Sequence, residues 1–325
     1  MTSPSDAAVG AAAKGPATAA MSPSQWRATG QAFVWRGHRI FYREHGTGEP
    51  LMLLHGFPTS SWDWRHVWNE LARSYHVVTF DFLGFGFSDK PHDGPYSVFS
   101  YADQAEALLA RLGIARVHVL AHDLGDTVAQ ELMARGRERA DGRGAFAELV
   151  TVCLLNGGIF PELHRPRPIQ RLLDSPLGAV VARLTDRERF GRGLSAVFGP
   201  HTQPSPAELD GFWECASFAG GIRNYHLLIR YMRERRRHRD RWVAPILDPR
   251  MPLALIDGHC DPVSGKHIAD RLREQRPGAE IYDLPDIGHY PQTEAPAEVL
   301  RAYAAFRQRA AGLDGRAHDA PPSQD

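Results

Sequence analysis

The chain carries no excess of either charge. Its 325 residues hold 38 lysines and arginines against 38 aspartates and glutamates, which removes the electrostatic footprint of a general nucleic-acid binder. One basic run, "RERRRHRDR" from Arg233 to Arg241, is expected to be a solvated helix end rather than an RNA or membrane patch. Cysteine is scarce. Cys153, Cys215 and Cys260 stand far apart, with no CxxC pair and no Cys/His metal spacing. That count fits a reducing compartment, so a cytoplasmic protein is expected, with all three thiols acting as buried small apolar residues and with no metal or organic cofactor. No apolar run approaches the ~20 residues needed to span a bilayer. The opening residues, rich in Ala, Gly, Ser and Pro, lack the compact apolar stretch of a signal peptide. A disordered tail is expected over residues 1–25, with Met21 as an alternative start, and a second tail over 313–325. No internal repeat is present.

What is present is an alternation of short apolar runs and helical patterns. "QAFVWRGHRIFYR" (Gln31 to Arg43), broken at Gly37, predicts a hairpin. "LMLLHG" (Leu51 to Gly56), "HVVTFDF" (His76 to Phe82), "RVHVLAH" (Arg116 to His122), "LVTVCLLN" (Leu149 to Asn156), "MPLALIDG" (Met251 to Gly258) and "AEIYDL" (Ala279 to Leu284) read as buried strands. Helical patterns cover Trp64 to Arg73, Tyr101 to Leu112, Leu124 to Arg135, Val263 to Gln275 and Pro296 to Ala311. Strand and helix in turn imply βαβ units and a mainly parallel sheet, whose chemistry gathers at the carboxyl ends of the strands. The alternation breaks between Gly157 and Pro249, rich in Arg, Pro and Gly, then resumes. This predicts a core of residues 26–156 and 250–312 with a helical cap, 157–249, inserted over the sheet.

The segment "VHVLAHDLGDTVAQELMAR" (Val117 to Arg135) reads as strand, sharp turn and helix. Ala121 lies two before Asp123 and Gly125 two after it, the small residues that a nucleophile elbow requires because its turn is too tight for larger side chains. Where many hydrolases present serine, this chain presents a carboxylate. Serine must lose a proton as it attacks. An aspartate, with an ordinary pKa of ~3.9, is already ionised near neutral pH and suits attack on a saturated carbon bearing a leaving group. The resulting alkyl ester must then be cleaved by water, and that step needs a base. The plainer alternative for Asp123 is a cap on the helix that begins at Leu124; the elbow context favours the nucleophile.

The base is expected at His289, in "LPDIGHYPQTEAP" just past the last strand, and its orienting acid at Asp261 in "IDGHCDPVS". The chain order nucleophile, acid, histidine is that of α/β-hydrolases. Asp257 is a rival acid nearer the strand end, and the other place for an acid, after Leu155, holds Asn156. Following "LMLL", the "HGFPTSSWDW" segment places the Phe57 N–H where it can join that of Leu124 in an oxyanion hole. His55 is expected to be structural and His122 to support the elbow.

These motifs, with "DFLGFGFSDKP", "NGGIFPELHRP", "GLSAVFGP" and "GHYPQTE", resemble the mesoderm-specific transcript group of α/β-hydrolases, near epoxide hydrolases and haloalkane dehalogenases. The resemblance runs from about Trp26 to Arg307. It implies the α/β-hydrolase fold, a helical cap and an Asp123, Asp261, His289 triad. A small hydrophobic substrate and a monomer or homodimer are expected. Epoxide hydrolases usually protonate the opened ring with cap tyrosines, and Tyr225 and Tyr231 in "RNYHLLIRYMR" occupy that region. Haloalkane dehalogenases usually hold the halide with a tryptophan after the nucleophile. Here that position is Leu124, and Phe57 has no donor either, which leaves Trp62, Trp64, Trp213 or Trp242, with Trp62 the one expected at the substrate. Epoxide opening therefore ranks above dehalogenation. Ester hydrolysis and a non-catalytic scaffold on the same fold remain as further readings. Asp126, where epoxide hydrolases often have glycine, departs from the pattern.

Overall fold

A computed structural model of the chain describes residues 21–140 and 147–318. Eight strands form one sheet: β1 (Gln31–Trp35), β2 (His38–His45), β3 (Glu49–Leu54), β4 (Tyr75–Phe80), β5 (Arg116–His122), β6 (Glu148–Leu155), β7 (Leu253–Gly258) and β8 (Glu280–Leu284). Their order is β1-β2-β4-β3-β5-β6-β7-β8. The expected hairpin is the antiparallel β1–β2 pair, with Trp35 opposite His38. Its two-residue turn holds Arg36 and Gly37 at positive φ, the geometry that matches strand twist in a tight hairpin. β2 runs antiparallel to β4, and every pairing beyond is parallel.

The parallel strands are apolar because both faces are covered. Leu51 to Leu54 of β3 and Val119 to Ala121 of β5 have no exposed surface. Burying each such leucine or valine is worth about 1.5–3 kcal/mol. Helices Val98–Arg111, Leu124–Ala140, Lys266–Gln275 and Pro296–His318 flank the sheet. Three helix boundaries shift for stated reasons. Ser97 caps its helix by accepting from the Ser100 N–H, so that helix starts before Tyr101. Lys266–Gln275 starts after Val263 because the N–H groups of Val263 and Ser264 donate to Asp261 instead. The helix expected over Trp64 to Arg73 is a 3-10 turn, Ser61–His66, followed by one short turn, Trp68–Leu71.

The tails are shorter than expected. Helix Pro23–Ala28 is closed by a Ser22–Gln25 capping box, and its Trp26 is fully buried, with its indole N–H donating to Ser61 Oγ at 3.0 Å. At the other end, helix Pro296–His318 continues past residue 312. The rest of both expected tails lies outside the described residues.

Between β6 and β7 the chain leaves the sheet for a helical excursion: Pro168–Leu173, Gly178–Arg183, Arg187–Ser195, Pro206–Ser217, Tyr225–Leu228, Tyr231–Arg237 and Arg239–Ile246. It is tied to the loops at the carboxyl ends of the strands. The Tyr225 hydroxyl donates to the Pro58 carbonyl at 2.6 Å, and Asn224 Nδ2 donates to the carbonyls of Lys90 and Pro91 at 3.2 Å. The basic run is in part the solvated helix end expected, with Arg233, Arg236 and Arg237 exposed towards the end of helix Tyr231–Arg237, but several of its side chains are engaged. Arg233 pairs with Asp174, Arg239 with Glu162, and Arg241 with Glu131 and Glu138, while Arg235 is buried. Nor are all three thiols buried: Cys153 and Cys215 are, and Cys260 is exposed.

Candidate active site

β5 ends at His122, and helix Leu124–Ala140 starts one residue after Asp123. The single residue between them turns the chain, and it does so at φ +49°. A side-chain-bearing residue in that region costs of order 1–3 kcal/mol, which surrounding structure must hold in place. Here the turn is pressed from two sides. A Cβ at Gly125 would lie 2.3 Å from the Leu54 carbonyl oxygen, and one at Gly56 would lie 2.8 Å from Asp123 Cβ. The glycines at 56 and 125 are what let β3 and the elbow come this close.

Asp123 is buried, and its Oδ2 accepts the Phe57 N–H at 3.0 Å. Its other oxygen, Oδ1, is 3.6 Å from Arg235 Nη2. Burial opposes ionisation, but the charges of His289 and Arg235 and the Phe57 N–H outweigh it and hold the carboxyl below the usual aspartate range. The Leu124 N–H belongs to the first turn of its helix, where N–H groups lack intrahelical partners.

His289 lies past β8, and its Nδ1 meets Asp261 Oδ2 at 2.7 Å. Burial pulls its pKa down, yet the charge and hydrogen bond of Asp261, backed by Asp123, prevail and raise it to about 9. Asp261 is in turn fixed by donors. Oδ1 accepts the Val263 N–H at 2.7 Å, and Oδ2 accepts the Ser264 N–H at 3.1 Å, the Ser264 hydroxyl at 2.9 Å and Asn156 Nδ2 at 3.1 Å. The rival acid Asp257 is buried with neither oxygen hydrogen-bonded, and burial pushes its pKa up to about 8.

Asn156, noted in the sequence only as not being an acid, clamps this corner. It sits at φ +43°, donates to the Gly258 carbonyl as well as to Asp261, and accepts the Gly258 N–H at 2.8 Å. His55 and His122 are structural, as expected. His55 Nδ1 meets the Gly56 carbonyl and its Nε2 accepts the Phe82 N–H. His122 Nε2 meets the His289 carbonyl at 2.7 Å. Burial lowers both rings to about 3. Asp126 lies under the end of β6, where the Leu155 N–H reaches its Oδ1 at 3.4 Å. Burial, with the charge of Asp123 beside it, drives its carboxyl well upward.

A cavity of about 360 Å³ opens against the histidine, with Phe57, Leu173, Leu194, Val197, Tyr225 and His289 in its wall. Asp123 and Tyr231 are not in that wall. Tyr231 is buried, its ring 6.0 Å from that of Phe57, and its hydroxyl meets Asp123 only in a poorly aligned contact; burial, the neighbouring Asp123 charge and that contact raise its pKa. Tyr225 lines the cavity, but its hydroxyl is committed to Pro58. Trp62 is not brought to the cavity. Its indole N–H donates to the Met21 carbonyl at 2.9 Å, and its ring packs on Phe212 and Arg65. Among the described residues no group of His, Cys, Asp and Glu side chains could hold a metal ion, and no helix is long and apolar enough to cross a membrane.

A family model described as the alpha/beta hydrolase fold matches residues 49–153. The chain is 42% identical over 305 residues to the mesoderm-specific transcript homolog protein of Bos taurus, covering 88% of each chain. It is 42% identical over 286 residues to the LipZ protein of Mycobacterium tuberculosis, covering 87% of this chain and 96% of the other. Among solved structures, the haloalkane dehalogenase DbeA-M1 loop variant from Bradyrhizobium elkanii is similar at a TM-score of 0.72 and 23% identity, over 89% of this chain and 99% of that one.

Proposed function

This chain belongs to the α/β-hydrolases, in the mesoderm-specific transcript group, and from that premise we propose that it is a hydrolase whose Asp123 forms a covalent alkyl ester, with epoxides as its substrate class. The observation that carries the reading is the contact between the Phe57 N–H and Asp123 Oδ2. It occupies one carboxylate oxygen and leaves Oδ1 as the attacking atom.

The helical excursion serves as the cap, with His289 reaching into the cavity beneath it. A substrate carbon meets Asp123 once the cavity wall, which does not yet include the carboxylate, rearranges around it. Oδ1 then bonds to the carbon and the ring oxygen departs as an alkoxide. Tyr231, whose buried hydroxyl lies beside Asp123, donates a hydrogen bond to that oxygen. Alkylation removes the charge of Asp123, one of the charges that keep His289 protonated. The ring becomes a stronger acid at that moment and gives its proton to the alkoxide. Once neutral, it takes a proton from the water that attacks Asp123 Cγ. The oxyanion formed on Oδ2 stays in the hydrogen bond that Phe57 already makes, joined by the Leu124 N–H; as it collapses the Cγ–Oδ1 bond breaks, and the diol leaves with Oδ1 and the proton that His289 returns. Losing one such donor typically costs about 3–4 kcal/mol of transition-state stabilisation.

Dehalogenation is the second reading. It is favoured by a cation beside the nucleophile, Arg235, although Leu124 and Phe57 offer no side-chain donor. Trapping tests both. His289→Gln should stall ester cleavage, so that an epoxide and haloalkane panel leaves a stable covalent mass on the Asp123 peptide, with the mass identifying the substrate that reacted. Turnover of activated esters that survives Asp123→Ala, with no adduct in His289→Gln, would instead support the esterase or scaffold reading.

A further inference from the structure

Arg235 takes no part in the two steps above, yet it is the charged group that the cap sends to the nucleophile. It rises from helix Tyr231–Arg237 and is 2% exposed. Its Nε donates to Thr127 Oγ1 at 2.7 Å, and its Nη2 donates to the Asp123 carbonyl at 3.1 Å and lies 3.6 Å from Asp123 Oδ1. Its Nη1 is buried with no partner. Nη1 can lodge where it does because residue 158 is a glycine. A Cβ there would lie 2.5 Å from Nη1 and 3.0 Å from His164 Nδ1. Both ring nitrogens of His164 are buried and unpartnered as well. Burial, with Arg235 beside it, holds that ring near a pKa of 3, so it is a neutral imidazole with one N–H to give.

An unsatisfied guanidinium N–H and an unpartnered neutral imidazole, which has one donor and one acceptor nitrogen, thus meet at one glycine beside the nucleophile, and the cationic N–H is open to an acceptor that arrives with the substrate. A buried guanidinium is tolerable when a nearby anion balances it, and costly when that anion is removed. Attack by Asp123 removes it. As Oδ1 bonds to carbon, the bond from that carbon to the leaving atom breaks and its electron pair goes with that atom. The unit of negative charge passes from the carboxylate to the departing atom, and the neutral ester no longer balances Arg235.

We propose that Arg235 is the receiver of the departing anion: its Nη2 faces the charge before attack, and its free Nη1, lodged against Gly158 with the His164 ring beside it, takes the charge afterwards. The ligand class is a monovalent anion attached to the reacting carbon, either the alkoxide of an opened epoxide or a halide. This inference rests on the Asp123-ester reading and specifies it further.

The test follows alkylation alone, as growth of the Asp123 adduct in full-length His289→Gln. The substrates are chlorides, bromides and iodides of one alkyl group, together with the matching epoxide, so that the arms separate the two sources of anion. Adding Arg235→Gln should slow alkylation by about 100- to 1,000-fold, the range found when one electrostatic donor is removed. The loss should be greatest for chloride and epoxide, the poorer leaving groups, and Arg235→Lys should restore part of it. Gly158→Ala keeps the charge but puts a methyl where Nη1 now lies, so the guanidinium must shift away from the position that would meet the anion. It should reproduce the leaving-group dependence in weaker form. Free bromide should compete with alkylation in the His289→Gln parent and compete less once Gly158→Ala is added. Equal slowing of every leaving group, as expected if Arg235 only fastens the cap, overturns the inference. So does bromide competition unchanged by Gly158→Ala, which decides the matter even if Arg235→Gln does not fold. Absence of any adduct in His289→Gln alone would instead remove the Asp123-ester reading beneath it.

Discussion

His289 shows how far a single residue's charge reaches in this molecule. Its pKa of about 9 stands above the ordinary ~6.5 of histidine, so the native site holds its proton more tightly than the unfolded chain does. The stability this contributes is fully present below about pH 6.5 and is lost as pH rises through 9. The contribution is on the order of 3 kcal/mol, a shift of several degrees in Tm. Thermal melts of wild type and His289→Gln across pH 6 to 10 should therefore converge as pH rises. Parallel curves would show that the ring is not held as an imidazolium. The identity of this residue was legible in the sequence, because a histidine between a strand end and a glycine–proline loop has few plain explanations. So were Asp123, directly after β5, and Asp261, in the loop just past β7. Arg235 was not. Seven of the nine residues from Arg233 to Arg241 are basic or histidine, and nothing in a linear run tells the one that turns to the nucleophile from those that meet Asp174, Glu162 and Glu131. Asn156 was passed over for a related reason. The sequence shows that it is not an acid, and only the structure shows its amide gripping Asp261 and Gly258.

At the scale of elements, strands were easier to read than helices. β3, β5 and β6 are continuous apolar runs because both their faces are covered, and the chain shows this directly. Helix starts depend on caps and competing hydrogen bonds. The helix expected from Val263 begins at Lys266 because Asp261 takes the N–H groups that would have started it earlier. Trp62 was expected at the substrate. It lies instead near the start of the 3-10 turn Ser61–His66, ahead of the helix expected from Trp64, with its ring packed on Phe212. The elbow is the element on which the site depends, and its sequence signal is steric. Replacing Gly125 with alanine would put a methyl against the Leu54 carbonyl, which belongs to a central strand and cannot yield cheaply. Overpacking of this kind typically costs about 1–3 kcal/mol. Gly125→Ala should lower Tm by several degrees and reduce adduct formation at Asp123 together. An alanine variant that melts and reacts like wild type would mean that the turn is looser than described.

For the whole molecule, the organisation read from the sequence was a strand-rich core interrupted once, and the eight-stranded sheet matches it, with β6 and β7 adjacent although the helical excursion separates them in the chain. What the sequence did not show is how closely that excursion is bound to the chemistry. It closes on the sheet through Asn224, Tyr225 and Arg235, and the last of these ends at the nucleophile. The helical excursion and the sheet thus share one electrostatic unit, made of Asp123, Asp261, His289 and Arg235, in which two negative and two positive groups balance when the histidine is protonated. Every step proposed for the enzyme follows from Asp123 giving up its share of that balance to form a bond with carbon. That bond can be tested without knowing the natural substrate. Excess enzyme is given one turnover of a reactive epoxide in heavy-oxygen water, and the label is then located by mass spectrometry. If Asp123 is the nucleophile, the diol from that turnover carries ordinary oxygen and the heavy atom is found in the Asp123 carboxylate. Heavy oxygen in the diol, with Asp123 unlabelled, would mean that water attacks the substrate directly and would contradict the account.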